Sequence, residues 1–109
     1  MASLLNLVHS LATQALTRCL VTGSSRGIGA AIALRLAAHG ADVVINYVAS
    51  AAGAEKVAHQ VREQHGVKAI TIQADVSDDQ DVARLFAETK SQLGKVDIVM
   101  VSYWIITPE

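Results

Sequence analysis

The sequence predicts an α/β protein: an open, doubly wound parallel sheet with helices on both faces, strand order 3-2-1-4, incomplete beyond its fourth strand. Three observations carry this. Short apolar, β-branched runs alternate with segments of helical period, the connections between them are short, and a glycine-rich turn separates the first run from the first helix. Such alternation implies right-handed crossovers between parallel strands, which place helices on both faces of the sheet.

Each element has its own signal. Cys19-Leu20-Val21 is a continuous apolar run ending at Thr22-Gly23, as expected of a buried parallel strand that stops in a sharp turn. Ile28, Ala31, Ile32, Leu36 and Ala37 recur at helical spacing, and Gly40 stands where a C′ glycine ends a helix. Val43-Val44-Ile45 supplies a second buried strand, after which Ala54, Val57, Ala58 and Val61 mark a helix that stops at Gly66. Ala69 to Ala74 form the third strand. Ser77, with Gln80 three residues later, has the form of a capping box. The helix it opens has Val82, Leu85, Phe86, Thr89 and Leu93 as its buried stripe and closes at Gly94. Val96 to Val101 is the fourth strand.

Composition narrows the function. The 109 residues leave room for one domain, and 51% of them are hydrophobic, with 18 alanines and 13 valines suited to close packing of helices on a sheet. A net charge of −1 and the lack of any Lys/Arg cluster exclude the electrostatic footprint of a nucleic-acid or anionic-membrane binder. The one cysteine, Cys19, forms no intramolecular disulfide and has no zinc-type spacing around it, so the chain reads as cytoplasmic in type. Residues 1–17 are expected to form a short amphipathic extension, with Leu4, Leu5, Val8, Leu11, Ala12, Ala15 and Leu16 at helical spacing. They have neither the basic start of a secretory signal nor the arginines of a mitochondrial presequence, and no run reaches the ~18 apolar residues of a membrane span. The expected organisation is an N-terminal extension (1–17), a nucleotide-binding half (18–101) and an atypical tail (102–109) holding Tyr103, Trp104 and the only proline, Pro108.

The chemistry concentrates in Thr22-Gly23-Ser24-Ser25-Arg26-Gly27-Ile28-Gly29. Gly23 permits a tight turn, Gly27 lets backbone approach a bulky ligand, and Gly29 lets the helix pack close to the sheet. Amides at the helix start, together with its dipole, favour a pyrophosphate. No Gly-Lys-Ser/Thr follows, which disfavours a Walker-type NTPase. Placed after a strand and before a helix inside a βαβ unit, the turn points to a dinucleotide and to the first half of a three-layer, Rossmann-like fold.

Residues 22–29 meet in full the Thr-Gly-x-x-x-Gly-x-Gly motif, Asn46-Tyr47 ends the second strand, and Ala74-Asp75-Val76-Ser77 ends the third. On these features the chain, from residue 18 to about 100, resembles the short-chain dehydrogenase/reductase family. The resemblance implies that Gly23, Ser24, Ser25, Arg26, Gly27, Ile28, Gly29, Asn46, Tyr47, Asp75 and Val76 bind the cofactor, with Asp75 on the adenine amino group and Val76 beside the ring. It also implies a small-molecule carbonyl or alcohol substrate and a homo-oligomer for full-length members. An NAD site commonly carries Asp or Glu at the end of the second strand, where it would repel a 2′-phosphate. Asn46 has no such charge and Arg26 supplies a cation, so NADP (NADPH) is the expected cofactor.

The resemblance also fixes what to look for and not find. The family's catalytic Tyr-x-x-x-Lys pair, with its upstream Ser, has no counterpart: four residues after Tyr47 comes Ala51, and four after Tyr103 comes Thr107. Instead of an Asn-Asn-Ala-Gly type motif, Val101-Ser102-Tyr103-Trp104 follows the fourth strand. The expectation is a chain inactive on its own, produced by reading into an intron whose GTAAGT start encodes Val-Ser. Its edge from Ile98 to Ile106 is expected to favour aggregation. Two other classes stand beside this one: a non-catalytic nucleotide-binding module that pairs with a full-length relative, and a flavodoxin-like phosphate-binding domain. Elsewhere the residues have ordinary explanations. His39 and His65 lie at helix ends, His9 and His59 have no ligand-spaced partners, and Asp78, Asp79 and Asp81 suit a helix N-terminus.

Overall fold

The structure, a computed structural model, describes residues 17–101. Strands β1 (Arg18–Thr22), β2 (Asp42–Tyr47), β3 (Ala69–Gln73) and β4 (Ile98–Val101) form one parallel sheet in the order β3-β2-β1-β4. Helices α1 (Gly27–Ala38), α2 (Ala51–His65) and α3 (Asp79–Gln92) connect them. This is the Rossmann-like arrangement that the alternation of elements predicts.

β1 and β2 carry continuous buried apolar runs, Cys19-Leu20-Val21 and Val43-Val44-Ile45, because helices cover both faces of the sheet there. Cys19, Val21, Val43 and Ile45 point to one face and pack with Ala33, Leu36 and Ala37 of α1 and Ala54, Val57, Ala58 and Val61 of α2. Leu20, Val44 and Ile72 point to the other, against Leu85 of α3 and Leu93 just beyond it. Alanines on α1 and α2 let both helices settle close to the strands. Two glycines end these helices as predicted. Gly40 (φ 97°) donates its N–H to Ala37 O at 2.9 Å, and Gly66 (φ 67°) donates to Arg62 O at 3.1 Å.

In several places tertiary contacts override the local pattern. The third helix is capped by Asp78, not Ser77: Asp78 Oδ1 accepts from Gln80 N at 2.8 Å and Asp81 N at 3.2 Å, while Ser77 Oγ donates to Asp75 Oδ1 at 2.6 Å. A carboxylate suits the positive end of the helix dipole better than a hydroxyl, and the strand-end aspartate engages the serine. In α1 the buried line runs through Gly29, Ala33, Leu36 and Ala37; Ile28, one residue off that line, is 64% exposed. In α3 Leu85 and Thr89 are buried, whereas Phe86 is 40% exposed, because among the described residues that face of the sheet carries a single helix. β3 and β4 are shorter than expected, ending at Gln73 and starting at Ile98, although the backbone bonds from Ala74 N to Tyr47 O and from Asp97 N to Arg18 O extend the ladder. Residues 1–16 of the N-terminal extension (1–17) and the tail 102–109, with Tyr103 and Trp104, lie outside the described residues.

The strand register matters for function. Val21 pairs with Ile45 and with Met100, and Tyr47 with Gln73, so the carboxyl ends of β1, β2 and β3 reach the same edge of the sheet. There β1 lies between β2, which precedes one crossover, and β4, which follows another; this is the switch point at which open α/β sheets bind ligands.

Candidate cofactor site

The glycine-rich turn leaves β1 at Gly23 and enters α1 at Gly27. Both residues have positive φ, 59° and 62°, a conformation strained for any side chain. A Cβ placed on Gly27 would meet nothing within 4 Å, so the backbone there faces open space. Arg26 is the N-cap of α1, but no side chain caps the helix and no acidic residue lies in its first turn. By contrast, Ser50 caps α2 and Asp78 caps α3. Among the described residues, no side-chain acceptor meets the positive end of α1, the kind of helix start that suits an anion.

Ser24 and Asn46 are placed beneath this turn. Asn46 is 1% exposed and every polar atom of its side chain is engaged. Its Oδ1 accepts from Gly23 N at 3.0 Å, and its Nδ2 donates to Ile72 O at 3.3 Å and Ala74 O at 3.2 Å. Ser24 N donates to Asn46 O at 2.9 Å, Asn46 N to Ser24 Oγ at 3.0 Å, and Ser24 Oγ to Val21 O at 2.7 Å. The two residues thus tie the turn to the ends of three strands.

Two cavities open above the tie and share Gly23. One, of about 350 Å³, is lined by Gly23, Ser25, Arg26, Tyr47, Val48, Ala49 and Ser50. The other, of about 80 Å³, is lined by Gly23, Asn46, Val48, Asp75 and Val76. Of the residues singled out in the sequence, Gly23, Ser25, Arg26, Asn46, Tyr47, Asp75 and Val76 converge here. Ile28 lies exposed one residue into α1, and Gly29 is buried against the sheet. Sequence reasoning missed Val48, Ala49 and Ser50. The signal available was Ser50 itself, an N-cap residue opening α2 directly after the strand. The wall is held close by Gly53, where a Cβ would lie 2.7 Å from Ser50 Oγ and 3.2 Å from Ser25 O.

Charge is divided between the cavities. Arg26 is the charged group lining the larger one, which contains no carboxylate. Asp75 lines the smaller. Its Oδ1 accepts from Ser77 Oγ at 2.6 Å and Ser77 N at 3.0 Å, and these bonds lower its pKa, keeping it an ionised acceptor. Cys19 belongs to the core: burial first, then Asp97 and Asp42, push its thiol up to about 11. Among the described residues no group of three or more His, Cys, Asp or Glu is placed to hold a metal, and no helix is long and apolar enough to cross a membrane.

The parallel sheet of order β3-β2-β1-β4, flanked by helices and carrying an open glycine-rich turn after β1, defines a Rossmann-like fold. The family model for short chain dehydrogenases matches residues 17–102, and the chain belongs to that family, the short-chain dehydrogenase/reductases. It is 50% identical over 88 residues to versicolorin reductase 1 of Aspergillus parasiticus, covering 81% of this chain and 33% of the relative. A short chain dehydrogenase of Passalora fulva is 45% identical over 87 residues, covering 80% and 32%. Among solved structures, a dehydrogenase/reductase from Sinorhizobium meliloti superposes with a TM-score of 0.78 at 40% identity, over 89% of this chain and 38% of that one. A hydroxysteroid dehydrogenase from Escherichia coli superposes with a TM-score of 0.75 at 31% identity, over 85% and 38%. The chain thus spans about a third of the length of the relatives it matches. The family consists of oxidoreductases that bind nicotinamide dinucleotides and act on small molecules.

Proposed function

We propose that this chain is the adenosine-side half of an NADP-dependent, carbonyl-reducing oxidoreductase, and that on its own it binds the dinucleotide without turning over substrate. The observation that carries the proposal is the larger cavity, where Arg26 and Ser50 face a space with no carboxylate in its lining. A 2′-phosphate there meets a guanidinium able to give charge-assisted hydrogen bonds, and no opposing anion. The relatives named as versicolorin reductases and as elsinochrome reductase support the reducing direction.

The residues present fit such a cofactor. The uncapped start of α1, with Ser25, Arg26 and Gly27 around it, would hold the pyrophosphate, and Asp75 and Val76 would hold the adenine. NADPH, when bound, supplies the hydride. What the chain itself would do is bind and orient: the turn, Asp75 and Val76 would fix the adenosine end, and Ile28 stands exposed beside them at the start of α1. In this family a Tyr-Lys pair donates the proton to the carbonyl, and neither Tyr47 nor Tyr103 has lysine four residues on. The chain's setting is cytoplasmic in this reading.

Fluorescence titration of the 109-residue chain with NADPH and NADH tests the proposal. The expected result is tighter binding of NADPH, with the preference lost in Arg26→Ala; equal or tighter binding of NADH would overturn it. A second reading, a non-catalytic module that pairs with a full-length relative, is favoured by β4, which has β1 as its single strand neighbour among the described residues. Retention of a tagged full-length relative by the chain would support that reading.

A further inference from the structure

Asn46 was expected to matter because it lacks a charge that would repel a 2′-phosphate. The structure gives it a different kind of work. A residue that is 1% exposed, with both Nδ2 hydrogens given to Ile72 O and Ala74 O and its Oδ1 already accepting from Gly23 N, has no donor left for a phosphate. We propose that Asn46 is a positioning residue: its amide fixes the height of the Gly23 N–H against the ends of β2 and β3, and so sets the shape of both cavities that meet at Gly23.

The geometry demands an amide. The site presents one donor, Gly23 N–H, and two acceptors, the carbonyls of Ile72 and Ala74, and an asparagine side chain offers the complementary acceptor and donor on adjacent atoms. Ser24 completes the tie through its hydroxyl, which gives one hydrogen bond to Val21 O and receives one from Asn46 N. Aspartate has the same shape but the wrong pattern. Its second oxygen would face two carbonyl oxygens at the present 3.2–3.3 Å, a contact that is repulsive when the group is ionised and becomes a hydrogen bond when it is protonated.

This separates a positioning role from a contact role. If residue 46 touched the cofactor, Asn46→Asp would exchange NADPH preference for NADH preference, as an acidic residue at the end of the second strand is expected to do. If it positions the turn, the variant loses affinity for both, and the loss depends on pH. Burial against carbonyls raises the carboxyl pKa in the folded state. The folded variant then holds a proton that the unfolded chain releases, so its stability is full below the ordinary carboxylate range and falls as pH rises. The charged groups lining the adjoining cavities are Arg26 in the turn and Asp75 after β3; Tyr47 is the other titratable neighbour. Their own titrations are common to variant and wild type, while Asp75 would raise and Arg26 would lower the pKa of a carboxyl introduced at position 46.

The test is titration of wild type, Asn46→Asp and Asn46→Ala with NADPH and with NADH at about pH 5 and about pH 8. For Asn46→Asp, the loss of affinity relative to wild type should be alike for both cofactors and grow roughly tenfold between the two pH values. For Asn46→Ala it should be alike for both and independent of pH. A gain in NADH affinity, or a pH-independent loss in Asn46→Asp, would overturn the proposal. The proposal rests on the dinucleotide reading only for its binding readout, so melting temperatures recorded in parallel keep the two apart. If wild type binds neither cofactor, the dinucleotide reading fails. An Asn46→Asp melting temperature that drops against wild type as pH rises then still supports the brace, and a constant difference refutes it. Should Asn46→Asp not fold at either pH, Ser24→Ala takes over: equal weakening of both cofactors is expected, and undiminished binding of both would refute the tie.

Discussion

Arg26 and Asn46 show what a residue's identity reveals and what it hides. Arg26 was legible because a cation beside a glycine-rich turn has few internal partners to spend itself on, and it does line the larger cavity. Ser24, in the same motif, and Asn46, at the end of β2, turn inward, since their polar groups match backbone atoms that only the packed sheet brings together. No spacing rule encodes that, because Gly23, Asn46 and Ala74 are distant in sequence. Cys19 gives a prediction at this scale. A thiol pushed up to about 11 and sealed in the core holds its proton, so at about pH 8 only ~0.1% would be the reactive thiolate. Because its folded pKa lies above the unfolded value, folding favours the protonated form, and the stability it contributes falls as pH rises past 9.0 toward about 11. Alkylation by iodoacetamide should therefore track unfolding across a denaturant series; rapid labelling of the native chain would contradict the burial.

The elements themselves were legible because several signals agreed at each. Apolar runs of strand length, glycines at Gly40 and Gly66, and alanine-rich helix faces all specify the same alternation, and the parallel order follows from short crossovers. What failed was local competition at element ends. Ser77 and Asp78 are both good caps, and the choice went to Asp78 because Asp75 takes the Ser77 hydroxyl. Ile28 and Phe86 fit a helical period but lack a facing layer among the described residues, and no single-sequence pattern reports where a layer is missing. Asp78→Ala should cost about 1 kcal/mol by removing the cap of α3, whereas Ser77→Ala should cost less than half of that. Chemical denaturation of both variants checks the order, and a larger loss for Ser77→Ala would restore the capping box.

At the scale of the whole molecule, the sheet is well covered around β2 and open around β4. Val99 and Val101 are exposed, Val101 by 68%, and Val99 with Phe86 and Val96 borders a shallow apolar cavity of about 480 Å³ flanked by Lys90, Lys95 and Asp97. An apolar edge strand of this kind templates pairing with another chain. Expressed alone, the 109-residue chain should self-associate, and Val99→Glu with Val101→Lys should raise its soluble fraction; a monodisperse wild-type monomer with cooperative melting would contradict this. The proposed nucleotide site lies at the carboxyl ends of β1, β2 and β3, where the sheet is paired and the tie of Ser24 and Asn46 is complete. The central claim is that this end forms an adenosine half-site selective for a 2′-phosphate. The most direct measurement is calorimetric titration with adenosine 2′,5′-bisphosphate and with adenosine 5′-monophosphate, which probe that half without the nicotinamide. The bisphosphate should bind about tenfold or more tightly, the advantage disappearing in Arg26→Ala. Equal binding of the two, or an advantage that survives loss of Arg26, would contradict the account.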